Sequence, residues 1–478
     1  MKKIICTLFL LLFSIVSNAQ IDTVNIIENA EYLFPSIPVK SSYTSLFDKR
    51  NGFNYVYSAN MESGLGIYDV SIPSSINLSI NLDINTFNNL GVSSIEQKGN
   101  SLFVGLGDFQ VNNNSSSGLV ILDISNPLIP LVKDMWDSTI FTNGISHLLI
   151  EDNYAYLSTM KSGIIILDIS DENNIVYKSH LQLDLNFPAP SGNAHNARGL
   201  KMKNDSLYVC FDRGGLRVVD VSDKTNPIEV YKYINTTLNS QAAAAYNDIV
   251  LKGNYAFISV DYCGLEILDV SSIPFSTVQW YNPWGCSGTN WSGANIHTNE
   301  VMLANNDSLL FVSAGQSELF VFDVTNPENS LKIGEYGNLE DSLATHGLDV
   351  WNGKIILSYI HTPFHIPPFT PFYADPGGLK LLNYQAQKGL SSINDLSREI
   401  SDIVVYPNPL TGSEIVVQST FEIAEIYLTN VFGQQIFETK EIYSQVYSIQ
   451  EANLNSGIYF LTIISKKGKA TNKIIIKN

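Results

Sequence analysis

The chain has 478 residues, is 45% hydrophobic and only 15% charged, and carries a formal net charge of −18. That length exceeds one small domain, and the acidic balance repels phosphate backbones, which argues against a nucleic-acid partner. Acidity also fits calcium binding, yet no EF-hand loop or glycine–aspartate nonapeptide occurs; a surface kept soluble by like charge accounts for it.

In chain order, Lys2 and Lys3 precede an apolar run from Ile4 to Val16, and Ser17-Asn18-Ala19 puts small residues before Gln20. This pattern predicts a secretory signal peptide over residues 1–19. The run is too short to span a bilayer, and no later segment offers a transmembrane helix. Cys6 lies inside the run, away from the cleavage point, which argues against a lipoprotein. Beyond it stand Cys210, Cys263 and Cys286. An odd number in an oxidising compartment predicts one disulfide, Cys263–Cys286, plus a buried Cys210; three buried thiols are the alternative. No C-x-x-C pair is present, so a cysteine zinc site is not expected.

From residue 64 an eight-residue phrase returns seven times: GLGIYDVS, GLVILDIS, GIIILDIS, GLRVVDVS, GLEILDVS, ELFVFDVT and GLKLLNYQ. Its acid falls at Asp69, Asp123, Asp168, Asp220, Asp269 and Asp323, with Asn383 in the last copy, in steps of 54, 45, 52, 49, 54 and 60. About ten residues upstream of each lies a β-branched and aromatic run such as YAYLSTM or YAFISVD, bounded by turn residues. Asn-Pro pairs at 126–127, 226–227 and 326–327 end the phrase before a further apolar run. Four antiparallel strands per copy, with no helical period, predict an all-β fold: a seven-bladed β-propeller over residues 20–385. The last copy has three clear strands, so Val24–Phe34 is expected to supply the fourth and clasp the ring. The repeated Asp could suggest a metal in every blade. The plainer reading is that it pins the following turn by accepting backbone N–H groups.

The phrase resembles the bacterial LVIVD-repeat propellers over residues 43–384, departing at Glu318 and Asn383. That resemblance implies a secreted or surface propeller and supplies no catalytic residues to carry over.

The rigid ring gathers its odd features on one rim, where the loops between second and third strands and those between blades both open. His195, His297, His346 and His361 fall there, with Asp108, Asp212 and Asp261. Two long connections add aromatics: Trp280, Tyr281, Trp284 and Trp291, then Phe364, Phe369, Phe372 and Tyr373 among prolines. Flat apolar faces on stiffened loops suit a sugar ring or a protein, which makes a non-catalytic binding surface for a glycan or protein ligand the leading expectation. Alternatively, His195, His297, His346 and His361 converge as metal ligands of a hydrolase or lyase. No cofactor is predicted, and no nucleophile elbow, zincin, Walker or dinucleotide motif occurs.

A polar linker, 386–401, leads to a tail, 402–478, whose short strands predict a small β-sandwich. Tyr406-Pro407-Asn408-Pro409, Leu428-Thr429-Asn430 with Gly433, Leu454 with Gly457-Ile458-Tyr459, and the strand from Lys473 resemble the C-terminal sorting domain of type IX secretion. The resemblance implies recognition by the export machinery, removal of the tail, and release or attachment at the outer-membrane surface.

Overall fold

The computed structural model describes residues 21–35, 40–108, 116–189, 195–241, 245–282, 286, 296–304, 306–338, 341–361, 374–388, 403–410, 414–431, 434–450, 454–465 and 468–476. The leader 1–19, Trp284, Trp291, Phe364, Phe369, Phe372, Tyr373, Gly433 and most of the linker lie outside them. Contacts divide the chain into one unit of residues 22–387 and another that includes 388–478.

The larger unit holds seven four-stranded antiparallel sheets. Blades 1 to 6 span 44–82, 92–142, 147–181, 200–233, 248–281 and 298–336. Blade 7 takes three strands from 345–388, and its outermost strand is Ile21–Leu33. The clasp expected from Val24–Phe34 is therefore present, with the first strand of the unit completing the last sheet.

Each blade follows the same logic. Second and third strands, such as Ser101–Leu106 and Ile164–Asp168, are buried almost throughout and therefore read as continuous apolar runs. Fourth strands, such as Ile228–Tyr233, are half exposed. Burial happens between blades: Phe103, Leu119 and Ile121 of blade 2 share one core cluster with Leu148, Leu157, Ile165 and Leu167 of blade 3. Each such side chain contributes about 1.5–3 kcal/mol on leaving water, and none could do so in an isolated sheet.

The phrase itself is now explained. In blades 1, 3, 4 and 5 its glycine leads into the third strand from the left-handed region; at Gly264 φ is +89°, and a Cβ would stand 2.2 Å from the Tyr281 carbonyl oxygen. Only glycine fits there. The acid pins the next turn: Asp69, Asp123, Asp168, Asp220, Asp269 and Asp323 each accept the N–H two residues on, at 2.8–2.9 Å. The structural reading of the repeated acid thus has its partner in all six copies that carry one.

The second unit forms one hydrogen-bonded array of five strands, ordered Ile403–Tyr406, Glu414–Asn430, Gly457–Ser465, Gly468–Ile476, with Gln435–Gln450 paired to Glu414–Asn430. Its register shifts between Gln418 and Ile423, within the long strand Glu414–Asn430. Val417, Ile426, Leu428, Leu461, Ile463 and Ile474 fill its core.

Candidate functional site

In blades 1, 3, 4, 5 and 6 a bridge joins the turn after the second strand to the segment leading into the next blade: Met61 with Val92, Met160 with Ala197, Asp212 with Tyr246, Asp261 with Thr298, and Gly315 with Thr345. This arrangement builds a mouth around the ring axis from both kinds of loop.

At that mouth, charges from several blades come within reach of one another. The phenol of Tyr43, fully buried, is pushed well up by burial, with Asp108 and Glu62 adding to the effect. Asp212 is raised mainly by burial and also by Asp261, while Arg198 and the Asn196 amide oppose the rise. Asn196 Nδ2 donates to Asp212 Oδ2 at 2.8 Å, and the Arg198 guanidinium sits 3.6 Å from the same oxygen.

The four histidines share this face, but each is held by its own neighbour. His297 Nδ1 lies 2.5 Å from Asp261 Oδ1, and His361 Nδ1 lies 2.8 Å from Asp375 Oδ1. His195 Nε2 bonds the Phe187 carbonyl at 2.8 Å, and His346 Nδ1 bonds that of Tyr43 at 3.1 Å. Burial lowers His346 to about 4, keeping it neutral. No set of three His, Cys, Asp or Glu among the described residues is arranged to hold a metal ion. Each of the four histidines thus has a different bonding partner.

Of the aromatics expected to offer a stacking face, the described pair is half-buried and engaged. Trp280 Nε1 donates to the Cys263 carbonyl at 2.7 Å, and Tyr281 packs edge-on against Phe322. Cys263 and Cys286 do meet, but as two thiols: the expected bridge is not formed. The Cys263 thiol is pushed up by burial and by its hydrogen bond with Cys286.

The sequence reading missed the groups that hold the rim still. Three charges occupy the position after Gly-Leu in the phrase: Arg217, Glu266 and Lys380, all buried. Arg217 bonds Glu229 Oε1 at 2.5 Å and the carbonyls of Gly214, Asp184 and Phe187 at 2.9–3.1 Å. It so fixes the blade 3–4 connection that carries His195. Glu266 accepts from Tyr246, Tyr233, Asn235 and Thr277 at 2.7–2.9 Å, fixing the next connection. Lys380 lies 3.5 Å from Glu318, which also accepts from Tyr359. Glu318 breaks the glycine pattern, and this blade 6–7 contact is what it gains.

Below the mouth the axis holds a cavity of about 270 Å³, lined among others by Glu96, His147, Lys201, Asp248, Glu300 and Asp349. Its carboxylates serve the ring. Glu96 accepts from the Ile150 N–H, Asp248 from Val301, Glu300 from Leu348 and Asp349 from Phe47, each on the following blade, at 2.8–3.0 Å. Burial raises Glu96 to about 7 and Glu300 to about 8.

In the smaller unit, Asn408 Nδ2 donates to the Lys473 carbonyl at 2.7 Å, and its Oδ1 accepts from Ile475 N at 3.0 Å. Tyr459 Oη donates to the Asn455 carbonyl at 3.0 Å. Within the sorting motif, Tyr406 and Pro407 lead into this Asn408 tether, and Pro409 and Gly457 flank described strands.

The family profiles agree with this layout. The LVIVD repeat matches residues 53–84, 95–137, 146–182, 194–235 and 245–274, which are blades 1 to 5. The secretion system C-terminal sorting domain matches residues 404–477. No curated protein matches the chain. Among solved structures, the WD40 repeats of RRP9 align with a TM-score of 0.51 at 9% identity, over 77% of this chain and 99% of theirs. The WD40 propeller domain of Doa1 aligns at 0.49 and 8% identity, over 75% and 97%. PorZ, a surface component of the type IX secretion system of Porphyromonas gingivalis, aligns at 0.41 and 11%, over 90% and 65%. The RRP9 likeness is one of fold alone.

Proposed function

The chain is an LVIVD-repeat β-propeller with a type IX sorting domain, exported to the cell surface or released, and from that premise we propose that it acts as a non-catalytic recognition module. In this reading residues 1–19 are a leader, 20–385 bind, 386–401 link, and 402–478 address the export machinery.

One observation carries the reading: the mouth is polar, drawn from several blades, and immobilised. Glu62 and Arg213 are exposed on its turns while Asp108, Asp212 and Asp261 are buried, and Arg217 and Glu266 fix the blade 3–4 and blade 4–5 connections. Rigid acceptors and donors around a concavity suit a hydroxyl-rich glycan or a polar protein face, since little side-chain ordering opposes binding. The aromatics at 284, 291, 364, 369, 372 and 373 are proposed as its apolar margin. The alternative hydrolase or lyase gains no supporting geometry from the described histidines.

The test is a glycan array and an envelope-protein overlay with the full chain, repeated with Glu62→Ala/Arg213→Ala and with Trp284→Ala. Binding lost at least tenfold in these variants, with the circular dichroism spectrum kept, supports the reading. Ligand binding that ignores all three substitutions, or no binding on either platform, overturns it.

A further inference from the structure

Among the described arginines, Arg50 and Arg217 give their side-chain N–H groups to protein acceptors. Arg198 and Arg213 do not. Arg198 leads into the first strand of blade 4; its Nε is buried with no hydrogen-bond partner, while the side chain as a whole keeps 22% of its surface exposed. The Asp212 carboxylate stands 3.6 Å from its guanidinium, beyond hydrogen-bond range, and Asp212 Oδ2 already takes the Asn196 amide at 2.8 Å. Arg213 follows Asp212 in the 2–3 turn of the same blade and is exposed.

Arg198 also lines a cavity of about 30 Å³ that adjoins the axial one, together with Ser146, Asn247, Asn299 and His346. These head the first strands of blades 3, 5, 6 and 7, and each is engaged. Ser146 Oγ donates to the Ala197 carbonyl at 2.7 Å, Asn247 Nδ2 to that of Thr298 at 3.0 Å and Asn299 Nδ2 to that of His297 at 3.2 Å, while His346 Nδ1 bonds the Tyr43 carbonyl. Arg198 is the donor left over. The volume takes about two water-sized oxygens, which is what one carboxylate presents. Asp248 and Glu300 line the same space, but burial raises both and so lessens the negative charge they hold.

Charge on the turns above is divided. Lys161 and Arg213 stand two residues before the phrase's glycine in blades 3 and 4, where blade 1 has Glu62, and Asp108 lies just after the second strand of blade 2. One side of the mouth is basic and the other acidic.

We propose that the mouth takes an acidic sugar, a uronate residue of a glycan, with its carboxylate held by Arg198 and steered by Arg213 and Lys161. This deepens the recognition reading and rests on it. A guanidinium offers a planar fork of N–H donors that matches a carboxylate. A uronate brings one negative charge; a phosphate monoester would bring about two beside Asp212 and Asp261, at a larger Coulomb cost. The sugar's hydroxyls donate to Glu62 and Asp108 on the acidic side, so the division of charge sets which way round the ligand lies.

The test is isothermal titration of the full chain with uronate-ended oligosaccharides, their neutral methyl esters, sulfated counterparts, and acetate as the bare carboxylate. The uronate is expected to bind about tenfold or more tighter than each of the others. Arg198→Gln should lose about that factor for the uronate and leave the methyl ester unchanged, and Arg213→Ala, at an exposed position, should lose about threefold. If Arg198→Gln does not fold, the ester comparison on the native chain and the Arg213→Ala variant decide the matter. Equal binding of uronate and ester overturns this inference and leaves the recognition reading standing. Acetate or a sulfated sugar binding as tightly as the uronate overturns the uronate assignment. No binding of any sugar overturns the inference as well, and the recognition reading then depends on the protein overlay.

Discussion

Ser358 Oγ donates to Ser45 Oγ at 2.6 Å, across the joint where blade 7 meets blade 1. Serines at the same place in other second strands make equivalent bonds to the following blade. Ser158 reaches the Arg198 carbonyl and Ser259 that of Asn299, both at 2.5 Å, and Ser313 reaches that of His346 at 2.8 Å. The closing joint is thus fastened by the same polar stitch as the joints between consecutive blades.

Removing one half of that stitch should cost more than removing both. Ser358→Ala leaves the Ser45 hydroxyl, 1% exposed, without the partner it has now. The expected loss is about 1–3 kcal/mol in urea unfolding. Ser358→Ala/Ser45→Ala should lose less than the single variant, because no buried hydroxyl is then stranded. A double variant that loses the sum of both singles would show that the pair does not act as one contact.

Arg217 offers a sharper case. Its guanidinium is fully buried, paired with Glu229, and stacked near the rings of Phe187 and Phe211 at 5.1 and 4.9 Å. Arg217→Met should destabilise the ring by about 3–5 kcal/mol by leaving the largely buried Glu229 carboxylate without its counter-charge and the Gly214 and Asp184 carbonyls without this donor. Adding Glu229→Gln should return part of that loss. Thermal unfolding of the two variants checks it, and equal midpoints for single and double would remove the ion pair from the account.

These contacts mark where the sequence stops being readable. The glycine, the acid and the Asn-Pro break act within one blade, so their reasons repeat with the phrase, and the ring, the clasp and the shared rim all follow. Ser358 acts between blades, and Arg217 reaches out of its own blade to Asp184 and Phe187 of the blade 3–4 connection. Each looks like an ordinary alternation within a strand until closure brings its partner from elsewhere in the chain. Spacing from Gly-Leu does give Arg217, Glu266 and Lys380 a common position, and that is the one signal that could have revealed them. The histidines show the opposite limit: spacing placed them on one rim, but only coordinates show each bonded to a different neighbour.

Proton binding in the axial cavity gives stability a pH dependence with a definite sign. Glu300 titrates at about 8 in the ring, against an ordinary value of 4.5. Between those limits the folded state holds the proton that the unfolded chain has released, so this group's contribution falls as pH rises. His346, lowered to about 4, works the other way and strengthens the fold from that pH up to its ordinary 6.5. The two are separated by comparing the native chain with Glu300→Gln, which mimics the protonated acid. The two should unfold together near pH 5, and the variant should be the more stable by a few kcal/mol (~2–4) at pH 8.5. Parallel curves across that range would mean that Glu300 ionises normally.

In the sorting domain, Asn408 joins the motif to the last strand by two bonds, and Leu410 N adds a third to the Ile475 carbonyl at 2.7 Å. Asn408→Ala removes the two side-chain bonds and leaves the Lys473 carbonyl and the Ile475 amide to seek water. The bonds are surface-exposed, so the cost should be modest, about 1 kcal/mol, and confined to this unit. Hydrogen exchange should then quicken over Gly468–Ile476 while the propeller amides keep their protection. Export is the second readout. If the machinery reads the tethered strand, the variant should accumulate inside the cell envelope. If it reads only the linear motif, Asn408→Ala and Leu410→Ala would differ in export although both loosen the same strand.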